Sequence, residues 1–206
     1  MQVLFVHGMG RSPISGWPML RRLRHAGLET ATFGYMTSLQ AFDTIRDRLL
    51  TRIERIAEGG DYVVIGHSLG GVLLRGALQQ MAPGIRLPRH LFLLGSPVQP
   101  ARLARMLGQQ PIYRWMTGDC GQLLGSESRM AAIGPPPVPT TAIAGVKGIA
   151  WQRSPFAGEA NDGVVALSEV QAAWQEDRVE IDAMHTWLPA SGDVATIVLD
   201  RIARID

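Results

Sequence analysis

One cysteine stands in 206 residues, so no disulfide forms within the chain and nothing argues for an oxidising compartment. Lysine is equally scarce. Lys147 is the only one, and arginine supplies the rest of the 20 basic residues. Against 18 acidic residues the formal net charge is only +2, so a pI of about 9.1 is no nucleic-acid signature. The arginines form no stripe with interleaved aromatics, which argues against a nucleic-acid partner. No apolar run is long enough to span a bilayer. The opening Met-Gln-Val-Leu-Phe-Val-His-Gly is too short for a secretory leader and lacks a basic flank, so a cytoplasmic address is the default expectation. There is no internal repeat and no interdomain linker, and residues 1–206 read as a single domain with a substantial core.

Short apolar runs alternate with longer stretches of helical period, the pattern of an α/β fold with a mostly parallel sheet of about six strands flanked by helices. The expected strands are 2–6, 28–35, 62–66, 90–95, 140–146 and 178–182. Helices are expected at 17–25, from Leu39 to about Gly59, at 69–81 and from about Gly192 to Ala203. Tyr62 to Gly66 is continuously apolar, as befits a central strand buried on both faces. Residues 98–139 exceed an ordinary connection and are expected to form an insert with helices of its own. Leu103, Met106 and Leu107 fit a short amphipathic helix there, and Tyr113, Trp115 and Met116 form an apolar cluster.

The chemistry centres on Gly66-His67-Ser68-Leu69-Gly70-Gly71, between the buried strand and an apolar helix. That is the setting of a nucleophile elbow. The sharp turn strains the serine backbone, and the flanking glycines let strand and helix approach. Ser68 is thereby projected above the C-terminal edge of the sheet, over a helix N-terminus of positive potential. Taken alone, the same pattern also fits a glycine-rich turn that merely packs a helix on a strand, so the partners decide.

His7-Gly8-Met9-Gly10 ends the first strand, and the backbone N–H groups of Met9 and Leu69 are the expected oxyanion donors, each worth roughly 3 kcal/mol in a transition state. A serine hydroxyl needs a base. His25 and His90 stand at the wrong ends of their elements, His7 is read as orienting its loop, and His67 is read as facing away with no role. His185, just after the last strand, is the expected base. Its carboxylate partner is Asp162 in Asn161-Asp162-Gly163-Val164-Val165, although an Asp-Gly turn or a helix cap would explain that residue too. Asp182 is the rival, but it is only three residues before His185, where a side chain rarely turns back onto the imidazole. The order Ser, Asp, His is the α/β-hydrolase order.

These runs, with Leu94-Gly95-Ser96-Pro97, resemble the α/β-hydrolase superfamily, specifically its small bacterial lipases and esterases. The resemblance spans nearly the whole chain except 98–139. It implies a minimal fold whose sheet begins at the strand that usually comes third. In the bacterial lipases a similar Asn-Asp-Gly-Val-Val run carries the catalytic acid, which favours Asp162. Some of them bind calcium through an aspartate two residues after the histidine. Here that position is Trp187, so no structural calcium, and no cofactor, is expected. Val98 replaces the usual lipase histidine after Gly95-Ser96-Pro97, which weakens the case for triglyceride cleavage.

The expected function is hydrolysis of a small-molecule or lipid carboxylic ester with an apolar acyl chain. A thioester or amide on the same residues is one alternative, and a catalytically silent binding module is another. If the insert is a lid, Leu103, Met106, Leu107, Trp115 and Met116 would face the acyl chain, with Leu107, Trp115 and Met116 the expected substrate-binding residues, and contact with a lipid interface would be transient. If not, the insert is structural.

Overall fold

In the strand Gln2–Val6 (β1), Val3 and Phe5 belong to one buried cluster while Leu4 and Val6 belong to another. Side chains of a strand alternate between faces, so this sheet has a core on each side. The computed structural model describes residues 1–205. β2 (Glu29–Phe33), β3 (Tyr62–His67), β4 (His90–Leu94), β5 (Thr140–Gly145) and β6 (Asp177–Ile181) complete one sheet in the order β2-β1-β3-β4-β5-β6. Every pairing is parallel. Parallel neighbours need long crossovers, and those crossovers are the helices.

Helices α1 (Trp17–His25) and α8 (Gly192–Ile202) cover the face of Val3, Phe5, Ile65 and Phe92. The opposite face is covered by α2 (Phe42–Glu58) and α3 (Leu69–Leu78), through Ile45, Leu49, Ile53, Val72 and Leu73. Between β4 and β5 the chain forms α4 (Arg102–Leu107), α5 (Pro111–Gly125) and α6 (Glu127–Ile133), and α5 is broken at Gly118 (φ 55°). The four-residue α7 (Leu167–Val170) precedes β6. The single cysteine, Cys120, lies on α5 fully buried in the second core, and that burial pushes its thiol up to about 12.

The expected strands all form. The second is shorter than its apolar pattern, because Leu28 and Tyr35 lie outside the register with β1. α2 begins at Phe42 rather than Leu39, where a side chain from α5 accepts its first N–H.

Arg75 on α3 is buried with no carboxylate partner among the described residues. It donates to the carbonyls of Gly134 (2.6 Å) and Pro97 (3.4 Å), and its guanidinium lies over the Trp174 ring. Burial pushes it down to about 10. These bonds tie the segments after β4 and before β5 to the helix that follows Ser68.

Candidate active site

The turn from β3 into α3 places Ser68 at φ 52° and ψ −124°. For a side chain with a Cβ that conformation is strained, by about 1–3 kcal/mol. Two bonds hold it: Ser68 N–H donates to Leu94 O (2.9 Å), and Gly71 N–H donates to Ser68 O (3.0 Å). A Cβ on Gly66 would collide with the backbone of Gly71, and one on Gly70 with the carbonyls of Val6 and His7. Glycine at both positions is therefore what allows strand, helix and β1 to meet here. From Tyr62 to Leu78 every residue is buried except Ser68. The turn thus delivers one hydroxyl out of an otherwise closed layer.

The loop after β1 passes beside it. A Cβ on Gly8 would lie 3.1 Å from Ser68 Cβ. His7 holds this loop: its Nδ1–H donates to Gly8 O (2.8 Å), Nε2 accepts from Tyr35 N–H (3.4 Å), and the ring stacks on Tyr35 at 4.3 Å. The Tyr35 hydroxyl donates to the His7 carbonyl at 2.7 Å. Burial lowers the His7 pKa below 6.5, so its ring is neutral. Leu69 is the first residue of α3, and the first N–H groups of a helix have no carbonyl one turn back. Neither the Met9 nor the Leu69 N–H donates to a backbone carbonyl among the described residues.

His185 opens the short 3-10 turn His185–Ala190 after β6. Its Nδ1 lies 2.6 Å from Asp162 Oδ2. A carboxylate only accepts, so Nδ1 carries the hydrogen and Nε2 is left with its lone pair. Asp162 is buried, and its Oδ1 accepts from the Val164 and Val165 N–H groups at 2.9 and 2.8 Å. The loop beneath it is pinned by Asn161, whose side chain bonds Ile149, Glu159 and Gly163. His185 N–H donates to Asp162 O (2.9 Å), a second tie between the two residues. Asp182 instead points to solvent, where it pairs with Lys147 at 3.3 Å.

Two neighbours, both inside motifs quoted above, touch the pair in ways that the motifs alone do not reveal. A Cβ on Gly95 would sit 3.0 Å from both Asp162 Oδ2 and His185 Nδ1, so glycine leaves room for that pair. His67, expected to face away, is fully buried with its ring 4.8 Å from that of His185. Its Nε2–H donates to the His185 carbonyl at 3.0 Å, while its Nδ1 is buried without a partner among the described residues. Burial first, then the nearby His185, holds His67 well below 6.5. Only its place beside the serine could have drawn notice to it.

Leu107 is half-buried, whereas Trp115 and Met116 are exposed in this conformation. A cavity of about 330 Å³ adjoins the His185 loop, lined by Lys147, Asp182, Ala183, Met184, Trp187, Ala190 and Ser191. Among the described residues no three His, Cys, Asp or Glu side chains gather as metal ligands, and no helix is long and apolar enough to cross a membrane.

The model of the alpha/beta hydrolase family matches residues 3–202. No curated protein sequence matches the chain. Among solved structures, the mature lipase BlEst2 of Bacillus licheniformis is similar at 17% identity and TM-score 0.67, over 98% of this chain and 91% of that one. The methylesterase MES16 of Arabidopsis is similar at 13% identity and TM-score 0.66, over 99% of each chain. RedJ, a thioesterase of the prodiginine biosynthetic pathway in Streptomyces coelicolor, is similar at 16% identity and TM-score 0.62, over 100% of this chain and 90% of that one.

Proposed function

The chain belongs to the alpha/beta hydrolase family, and from that premise we propose that it cleaves carboxylic esters with an apolar acyl chain, with Ser68, His185 and Asp162 as its catalytic residues. The observation that carries this reading is the pairing of one strained, accessible serine with a buried Asp162–His185 hydrogen bond of 2.6 Å at the same sheet edge. Ser68 Oγ attacks the ester carbonyl as His185 Nε2 takes its proton, and Asp162 stabilises the imidazolium. The Met9 and Leu69 N–H groups receive the oxyanion. Its collapse expels the alcohol with the proton from His185, leaving an acyl-Ser68. Water, deprotonated by His185, then releases the acid and restores the serine.

Leu107, Trp115 and Met116, on the segment between β4 and β5, are the acyl-facing residues of this proposal. Each buried methylene contributes about 0.8 kcal/mol, so turnover should climb across p-nitrophenyl esters of growing acyl length until that surface is filled. The decisive variant is Ser68→Ala. It should fold and lose roughly four to six orders of magnitude in turnover, because such residues act as a unit. Near-normal ester turnover by the folded variant would refute the proposal. The fold likeness to a thioesterase supports a second reading, thioester cleavage by the same steps. Matched oxygen and thiol esters of one acyl chain separate the two. A folded wild-type chain that no fluorophosphonate labels would instead return the silent-module alternative.

A further inference from the structure

A trans peptide sets its C=O and its N–H on opposite sides of the bond. The Gly8–Met9 peptide is trans, so whatever holds the Gly8 carbonyl also aims the Met9 N–H. Two donors hold that carbonyl. One is the Arg11 N–H at 3.2 Å, which closes a turn whose third residue, Gly10, has φ 67°. The other is the His7 Nδ1–H at 2.8 Å. The peptide begins hard against the elbow, because a Cβ on Gly8 would also lie 2.9 Å from His67 Nδ1.

The His7 side chain turns about two bonds, and one residue stops it. β1 and β2 pair in register through Val6 and Phe33, which brings Tyr35 alongside His7. Tyr35 meets it three times. Its backbone N–H donates to Nε2 at 3.4 Å, its ring lies 5° from parallel on the imidazole, and its hydroxyl donates to the His7 carbonyl at 2.7 Å. Because Nε2 accepts, the hydrogen of the neutral ring stays on Nδ1, the atom that serves Gly8. Burial raises the Tyr35 phenol well above its usual 10, so the hydroxyl remains a donor. The His7 carbonyl also rests on the first turn of α3, where a Cβ on Gly70 would come within 2.6 Å of it.

We propose that Tyr35 is a positioning residue for ester cleavage, setting through His7 the direction in which the Met9 N–H meets the oxyanion. The proposal rests on the ester-hydrolase reading, in which that N–H receives the developing charge. An oxyanion donor is worth roughly a hundred- to a thousandfold in turnover, and tilting one forfeits part of that.

The test compares kcat and KM of the full chain for p-nitrophenyl acetate and for its thiono analogue, in which C=S replaces C=O. Sulfur accepts hydrogen bonds weakly. A misaimed donor therefore matters less to the thiono ester, whereas a displaced serine or a loosened fold slows both alike. Tyr35→Phe keeps the ring and the backbone N–H and deletes only the hydroxyl. It should lower kcat on the oxygen ester roughly three- to tenfold with KM unchanged, and leave the thiono ester within about twofold of wild type. His7→Asn keeps an N–H donor within reach of the Gly8 carbonyl, and His7→Leu has none. The asparagine variant should retain roughly tenfold more kcat than the leucine one.

If His7→Leu fails to fold, Tyr35→Phe decides alone, since it removes a single oxygen. If the wild type is too slow on the thiono ester to follow, the division between kcat and KM and the two His7 variants decide. Wild-type kcat in Tyr35→Phe would overturn the proposal, as would equal losses on the two esters or a loss confined to KM. Turnover abolished by Ser68→Ala but untouched by Tyr35→Phe would remove the positioning and keep the hydrolase reading. Turnover that survives Ser68→Ala, or a wild type inert toward every ester, would remove both.

Discussion

The hydrogen on His185 Nδ1 is held by Asp162, and the Asp162 carboxylate is held in turn by two backbone N–H groups. Asp162→Asn would put an amide where only an acceptor serves, and the imidazole would turn its lone pair the wrong way. Turnover should fall about four orders of magnitude with the fold unchanged; a loss of less than tenfold would mean that another group orients the base. His67 Nε2–H holds the His185 carbonyl at 3.0 Å, which on the proposed reading makes it a positioning residue for the base. Its ring, kept neutral by burial, does not oppose the imidazolium. His67→Leu should lower kcat roughly ten- to a hundredfold with KM little changed, as a small misplacement of the base does. His67→Gln, which keeps an N–H donor, should recover part of it. An equal loss in both variants, tracking a loss of fold, would reduce His67 to packing. Ser68, Asp162 and His185 stand out in the sequence because each residue type has its own chemistry and a place after a strand, and the fold sets all three beyond the C-terminal ends of β3, β5 and β6. The contact of His67 with His185 does not stand out there, because it arises only when β3 and the loop after β6 are packed together.

Among the elements, α2 starts where a distant residue allows. Its N-cap position is Ala41, which has no side chain to accept a bond, and Asp119 of α5 accepts the Phe42 N–H while holding Arg129. The Arg129 hydrogen bond is the main cause that lowers the Asp119 pKa below 3.8, so this link is complete above that value and is lost as pH falls through the folded one. Asp119→Ala should cost about 1–2 kcal/mol, mostly for the cap because the ion pair is partly exposed; an unchanged denaturation midpoint would show that water caps α2 as well. Local periodicity extends the helix to Leu39 because nothing nearby reveals a cap that comes from 77 residues along the chain. The same physics hides α5 and α6. Their apolar faces are short and interrupted at Gly118, whereas α2 repeats its pattern over 17 residues.

At the scale of the whole molecule, the sheet was plain in the sequence because central strands buried on both faces are continuous apolar runs, and their order follows the crossovers. The edge strands β2 and β6 depart from their expected bounds of 28–35 and 178–182, each with alternate or partial burial. Folding also encloses three histidines in neutral form. Burial lowers the pKa of His7, His67 and His90 below 6.5. Above that value they are neutral in folded and unfolded chains alike. Below it the unfolded chain takes up protons that the folded one resists, so stability falls as pH drops toward the folded values. The urea midpoint should therefore hold steady from about pH 8 to 7 and decline toward pH 5. A midpoint constant over that whole range would mean that the three rings are protonated as readily in the fold as outside it.

Cys120 has a consequence for the bench. A thiol sealed in the core and pushed up to about 12 offers almost no thiolate to maleimides, nitroxides or peroxide at neutral pH. The native chain should need no reductant in storage. A cysteine placed at any exposed position would then be the only one to react, so distances and local polarity can be reported from a single label without first removing the natural residue.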